Sequence, residues 1–462
     1  MDMDNNVDMF RTLSDPLLII ILSFLPFHEA VRTCVLSKRW SHLWRETTNL
    51  DFNENFFVKR GANEAEEVEK LQRNGFISFV RQFIVNYPQK GIQRFNLACS
   101  KPNDFPEDMQ NFFSFSISRN VREFGLDFSC PTWREHALDN HDPVFELPLH
   151  FYEYKNLKSL TLFSCSFDMH KFANFNVLKR LSLGWIQLSV DSIKVLLKSC
   201  PILETLSLKK CWKMEHFEIC LPNSNLKELV LEKCEFVQHW FLFDGPNFRV
   251  FKYSGKVGYF HMENQSDMVE ADLDFSAETE FGEVGTLLYD LLQELYAVQV
   301  LTVCSVFLQL IPSGEEPFGL QSPLNVRHLN LKSALHPNEY WGIKFMLKSC
   351  PLLEKLTIHI GPANIFSDYE PPYDFNPRDF WSKYLIVESC ITRTLKVVEV
   401  KGFKGTRNEL YVIAYMIQLG QVMEQLKIYI VNDGEITTEY IQRAQVLLQL
   451  RKASENLRIS FC

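Results

Sequence analysis

The chain has 462 residues, 46% of them apolar and 23% charged, with a formal net charge of -9 at pH 7. That length exceeds one globular core, so two or three domains or an elongated repeat array are expected, and the composition is that of an ordered chain. The acidic balance argues against a nucleic-acid binder, which needs clustered Lys and Arg, while leaving room for a local basic patch.

The first residues are acidic and the apolar run begins only after Asp15, so no secretory signal is expected. The longest apolar stretch, Leu17 to Phe27, is broken by Ser23 and Pro26 and falls short of the roughly 20 residues of a bilayer span. The 12 cysteines are scattered singly, without a C-x-x-C pair. They are expected to be reduced and buried, in a protein of the cytoplasm or nucleus.

Positions 10 to 44 carry the densest signal. Ser14 or Asp15 can cap a helix and Pro16 suits its first position. Leu17, Leu18, Ile21, Leu22 and Leu25 recur at helical spacing until Pro26 stops the segment. A second short helix follows from about Glu29, with Ala30, Val31, Val35 and Leu36 as its apolar side. Trp40 and Trp44 lie four apart, on one face of a third. So small a unit cannot bury this much apolar surface by itself.

The stretch resembles an F-box, the three-helix module that docks substrate receptors on the adaptor of cullin–RING ubiquitin ligases. The resemblance rests on Ile21-Leu22-Ser23-Phe24-Leu25-Pro26, Ala30-Val31-Arg32-Thr33, Val35-Leu36-Ser37-Lys38-Arg39-Trp40 and Leu43-Trp44. It departs from the family at Leu13-Ser14, where Leu-Pro is usual, and at Ile20, where a charge is common. The implied adaptor-binding residues are Leu13, Leu17, Leu18, Ile21, Leu22, Leu25, Pro26, Val31, Val35 and Trp40, and the implied partner is a Skp-family adaptor and, through it, a cullin. We assign residues 10–52 to this module.

Residues 53–100 form a connection. Asn49 to Phe57 is extended, residues 59–74 are a solvated acidic run, and Phe76, Phe79, Val80, Phe83 and Ile84 form a helical stripe. Ile92 to Cys99 alternates as a strand. From there L-x-x-L-x-L keeps returning, at Val121, Leu157, Leu178, Leu203, Leu226, Val326 and Leu353, with spacings of 21 to 25 between Leu157 and Leu226. These are the spacings of leucine-rich repeats. The blocks LLKSCPILETLSL (196–208) and MLKSCPLLEKLTI (346–358) nearly repeat each other. Each pairs a helix ended by Cys-Pro with a following strand. An α/β solenoid of parallel strands over residues 101–362 is expected, and an ordinary α/β domain with Leu-rich strands is the alternative. Between 237 and 297 the repeats fade, leaving either degenerate units or a separate domain.

In each strand the residues between the inward Leu pair face the open, concave side. These are Thr161, Phe163, Ser182, Gly184, Ser207, Lys209, Val230, Glu232, Asn330, Lys332, Thr357 and His359, the candidate substrate-binding residues. A Pro- and Asp-rich stretch, 361–379, marks a boundary. Beyond it come strand Leu395–Val400, a helix with capping-box spacing at Thr406 and Glu409 ended by Gly420, strand Met423–Val431, a helix from about Thr438 to Lys452, and strand Leu457–Phe461. Residues 370–462 resemble the FBD domain on Trp381, Cys390, Leu395 to Val400, Gly402 to Gly405, Glu409-Leu410 and Arg458 to Phe461.

No phosphate-binding glycine motif and no G-x-S-x-G elbow occurs. Gly402-Phe-Lys-Gly405 has the spelling of a KH-domain clamp but follows a strand in an acidic context, and reads as a turn. His136, Asp139, His141 and Asp142 cluster in one loop without helical zinc spacing. No cofactor, metal, nucleic acid or membrane is expected. Together the resemblances imply a non-catalytic substrate receptor of an SCF-type ubiquitin ligase, its repeats holding a target protein. The alternatives are a repeat scaffold that no longer binds the adaptor, or a hydrolase or metal enzyme using the 130–145 loop.

Overall fold

A computed structural model describes residues 9–59, 66–129, 145–220, 225–245, 247–263, 265–311, 319–371, 375–383 and 387–462. They fall into two compact units, Met1–Trp212 and Lys213–Cys462. Residues 60–65 of the 59–74 acidic run and the His136–Asp142 cluster lie outside the described residues.

In the first unit the chain turns helical where Pro16 needs no N–H partner, over Asp15–Ser23, after a short turn at Met9–Thr12. Pro26 sits at the N-cap position of the next helix, Phe27–Arg32, which tightens into a 3-10 turn at Thr33–Val35. The third helix, Trp40–Leu43, changes to 3-10 geometry at Trp44. That change separates the two tryptophans expected on one face. Trp44 is buried against Phe27 and Phe83, while Trp40 stays half-exposed beside Phe10.

The strands Asn49–Asn53, Arg94–Ala98, Glu123–Asp127, Ser159–Phe163, Arg180–Gly184 and Thr205–Lys209 then form a parallel ladder in continuous register. Side chains alternate across a strand, so two apolar columns run through it. One is Leu50, Phe95, Phe124, Leu160, Leu181 and Leu206; the other is Phe52, Leu97, Leu126, Leu162, Leu183 and Leu208. All are buried. The helix Glu66–Val85 covers one end with Phe76, Ile77, Val80 and Phe83, leaving Phe79 and Ile84 of the expected stripe only half-buried. A helix at Pro106–Ser118 was not anticipated: its FFSFSI run is nearly continuous in apolar residues and shows no 3.6-residue stripe. Val190–Ser199 is the helix expected before Cys200-Pro201.

Three of these strands leave the ladder through a left-handed residue: Ser164 (φ 57°), Trp185 (φ 50°) and Lys210 (φ 47°). Each such corner costs roughly 1–2 kcal/mol without glycine, so stacking has to supply the difference. In the second unit Lys233 (φ 51°) repeats the corner after Glu228–Glu232.

The second unit builds its ladder from Glu228–Glu232, Val250–Ser254, Glu270–Asp274, Val300–Val303, His328–Ser333, Lys355–Ile360, Val397–Phe403, Gln425–Ile430 and Arg458–Phe461. The stretch 237–297 is therefore more of the same ladder. Its inward positions are Phe251, Tyr253, Ala271 and Leu273, which hide the leucine signal. A second parallel sheet, Phe217–Cys220, Trp240–Asp244 and Tyr259–Glu263, packs aromatics beside it, with Phe241 and Phe260 stacked at 4.4 Å. The Cys350-Pro351 block again ends a helix, Tyr340–Ser349.

The C-terminal strands continue the same ladder. Between them Thr406 Oγ1 caps the helix Arg407–Leu419 by accepting from the Glu409 N–H. The Glu409 carboxylate accepts from the Lys404 and Gly405 N–H groups, at 2.9 and 2.8 Å, a shifted form of the expected box. Gly402 has φ +83°, and a Cβ there would stand 2.3 Å from the Ile360 carbonyl oxygen. The G-x-x-G spelling is a bulged strand exit.

A buried polar cluster ties this region to the Tyr340–Ser349 helix. Lys344 Nζ lies 3.0 Å from a Glu388 oxygen and donates to the Tyr415 hydroxyl at 3.0 Å; that hydroxyl donates to Glu388 at 2.5 Å. Burial first, and the Glu388 charge second, raise the Tyr415 pKa. Removing one partner strands a buried charge. Lys344→Met is therefore expected to lower unfolding free energy by about 3–5 kcal/mol, measured by urea denaturation, and Lys344→Met with Glu388→Leu to recover much of it.

Candidate docking surfaces

Two kinds of surface stand open to a partner, one on the three-helix unit and one on each ladder. On the first, Leu18 and Leu22, expected to face a partner, are buried inside the unit and hold its helices together. Helical spacing shows which residues share a face, not which side the neighbouring helices cover, and that is why the expectation fails for these two. Leu17 and Leu25 are exposed, Pro26 is exposed, and Leu13, Ile21, Val31 and Trp40 are half-buried. The sequence reading missed Phe24, at 84% the most exposed large apolar side chain among the described residues, which follows the Asp15–Ser23 helix as its C-cap. Val35 at 83% and Leu36 at 65% stand out after the second helix, and Ile20 and Phe10 are about half exposed. These apolar side chains stand open to solvent.

The backbone behind this patch is fixed from several sides. Asn49 Nδ2 donates to the Ser23 carbonyl at 2.7 Å. Phe27 contacts Trp44, Phe52 and Phe83 at centroid distances of 6.1, 5.1 and 5.6 Å, and Phe52 contacts Phe95 at 5.8 Å. Each such aromatic pair adds about 0.5–1.5 kcal/mol beyond its burial.

At the Leu13-Ser14 departure, Ser14 has φ -71° and ψ 154°, a backbone that proline would also adopt. Arg39 supplies the restraint that a proline ring would give. Its Nε donates to Asp15 at 2.7 Å, its Nη1 to the Arg11 carbonyl at 3.2 Å, and its Nη2 to the Leu13 carbonyl.

On the first unit's ladder, Thr161, Ser182 and Ser207 stand directly opposite one another in one row, and Phe163, Gly184 and Lys209 in the next. The Phe163 ring covers Gly184, where a Cβ would meet it at 2.8 Å, and packs edge-on against Trp185 at 5.3 Å. Lys209 and Lys210 both place their ammonium groups over Trp185, at 5.7 and 5.8 Å. This aromatic and cationic corner is invisible in the sequence, because Trp185 leaves the strand with positive φ.

On the second unit, Val230 and Glu232 lie on the Glu228–Glu232 strand, while Asn330 faces Thr357 and Lys332 faces His359 across adjacent strands. Thr357 lies in the expected row but is only 2% exposed, so it offers little to a partner; its Oγ1 lies 2.9 Å from His328 Nε2. Burial would raise the Glu399 pKa, yet Lys355 and Lys427, at 3.1 and 3.5 Å, hold it below the usual value. Burial, then Lys401 and Lys332, hold the His359 pKa down; burial and Lys355 do the same to His328.

Among the described residues no group of three His, Cys, Asp or Glu is placed to hold a metal ion, and no helix is long and apolar enough to cross a membrane. Burial raises the thiols of Cys200 and Cys304 to about 11, far from thiolate chemistry at neutral pH.

Compared with known proteins, residues 10–50 match the F-box domain family, and residues 85–453 match a family described as the At1g61320/AtMIF1 LRR domain. The latter match runs through most of the stretch that resembles an FBD domain. An Arabidopsis thaliana protein carrying an F-box/LRR-repeat name, At1g56400, is 36% identical over 90% of this chain and 87% of its own length. The F-box protein At3g62230 of the same plant is 34% identical over 93% and 92%.

Two measurements check this geometry. Arg39→Ala is expected to lower stability by about 1 kcal/mol, and Ser14→Pro to restore part of it, read from thermal melts. His359 has a folded pKa below its ordinary 6.5, so the unfolded chain binds the proton more readily and stability falls as pH drops below about 6.5. His359→Gln is expected to flatten that part of the stability–pH curve.

Proposed function

This chain belongs to the F-box/leucine-rich-repeat family, and we propose that it is the substrate-receptor subunit of an SCF-type ubiquitin ligase. The observation that carries the reading is the exposed apolar patch of Leu17, Ile20, Phe24, Leu25, Val35 and Leu36, on a unit whose backbone is braced from behind. Such a patch suits docking on a Skp-family adaptor, and through it on a cullin. The ladders' open faces would hold the target protein.

The chain would break no bond itself. It would raise the effective concentration of a target beside a ubiquitin-loaded enzyme, in the cytoplasm or nucleus. The C-terminal segment, which resembles an FBD domain in sequence, adds three strands, Val397–Phe403, Gln425–Ile430 and Arg458–Phe461, to the second unit's ladder. Its role would be both to extend the open face and to end the stack.

Ser14 and Ile20 favour a second reading, a repeat scaffold that has lost adaptor binding. Co-purification with a Skp-family adaptor decides between them. The receptor reading expects a stoichiometric complex that Phe24→Asp or Leu25→Asp reduces by more than about tenfold in affinity, with the melting temperature little changed. No complex from folded wild-type chain would favour the scaffold.

A further inference from the structure

The open face of the second unit is divided by charge. On the strands Glu228–Glu232, Val250–Ser254 and Glu270–Asp274 the outward charged residues are Glu228, Glu232, Lys252, Glu270, Asp272 and Asp274, five acidic and one basic. The next strand presents only Val300 and Thr302. On the five strands from His328 to Phe461 the outward set is Lys332, Lys355, Glu399, Lys401, Lys427 and Arg458, five basic and one acidic. The chain as a whole is acidic, so this basic half runs against its average charge.

Such segregation is unfavourable in the free protein. Lys332 and Lys401 flank His359 in one row of three adjacent strands, which leaves two like charges two strand spacings apart, about 10 Å, on the same face. Internal ion pairs relieve part of it. Lys332 reaches across the seam to Asp272 at 3.0 Å, Lys252 pairs with Glu270 at 3.3 Å, and Glu399 serves both Lys355 and Lys427. Lys401 and Arg458 form no ion pair among the described residues.

Resting on the receptor reading, we propose that this face binds an extended, bipolar protein segment lying across the strands, with its acidic block over the Lys332–Arg458 half and its basic block over the Glu228–Asp274 half. A nucleic acid fits less well, since it brings no cationic block and meets repulsion once it passes the seam. The middles of the two halves, Val250–Ser254 and Val397–Phe403, are five strand spacings apart in the ladder, about 24 Å. That span matches about seven extended residues.

The test uses the full chain with fluorescence anisotropy and three labelled probes. The first is a block peptide, a run of glutamates and a run of lysines joined by one glycine, with about six residues in each run to cover the span. The second has the same composition with glutamate and lysine alternating, and the third is a single-stranded oligonucleotide of similar length. The block peptide is expected to bind about tenfold or more tightly than the alternating one, and to weaken with added salt. Lys401→Glu with Arg458→Glu is expected to remove about tenfold of that affinity, and Lys401→Gln with Arg458→Gln to act in the same direction without a charge reversal that could disturb the sheet. Equal binding of the two peptides, tighter binding of the oligonucleotide, or full affinity in both variants would overturn the inference. Adaptor co-purification is scored on the same protein. Adaptor binding without peptide discrimination rejects this surface alone, whereas peptide discrimination without adaptor binding rejects the receptor reading alone.

Discussion

The side chain of Phe52 takes part in two packing systems at once, and the first unit depends on both being satisfied together. It is an inward residue of the ladder, in the column that continues through Leu97, Leu126 and Leu162. It is also a member of the aromatic cluster with Phe27 and Phe83 that Trp44 closes. No strand of the ladder buries its own apolar pair, so every strand needs a neighbour on each side or a cap. At the Asn49–Asn53 end the three-helix unit and the Glu66–Val85 helix are that cap.

This shared packing has a functional consequence. A docking module joined by a flexible linker would let the ladder wander relative to its partner. Here the helix carrying Phe27 is wedged against the first strand, and Asn49 of that strand holds the Ser23 carbonyl directly behind Phe24. The exposed patch and the first strand are therefore joined by direct packing, which would suit a receptor that has to position a target. The aromatic cluster takes up Phe27 and Trp44, while among the described residues Phe24, Val35 and Leu36 stay exposed.

Much of this was legible in the residues. Alternation with period two announces a strand and its two faces, so the L-x-x-L-x-L units gave the ladder, its inward columns and the outward rows of Thr161, Ser182 and Ser207. The two Cys-Pro blocks gave helices at Val190–Ser199 and Tyr340–Ser349, because a residue before proline leaves the helical region. What escaped has physical reasons. Phe251, Tyr253 and Ala271 stand in for leucine in the faded repeats, and their volumes suit the aromatic second sheet rather than a consensus. Burial within the three-helix unit depends on how its helices cross, which periodicity leaves open; hence Leu18 and Leu22 turned inward and Phe24 outward. The charge division of the second face joins residues as distant in sequence as Glu228 and Arg458, and becomes visible only once the strand register is known.

The patch around Phe24, Leu25, Val35 and Leu36 is the proposed docking site of a Skp-family adaptor. Amide hydrogen exchange, followed with and without saturating adaptor, tests it most directly. Docking there should add protection over residues 17–25 and 31–37, with no change on the open-face strands 328–333, 355–360 and 397–403. Protection confined to the repeat strands, or none anywhere under saturating adaptor, would contradict it.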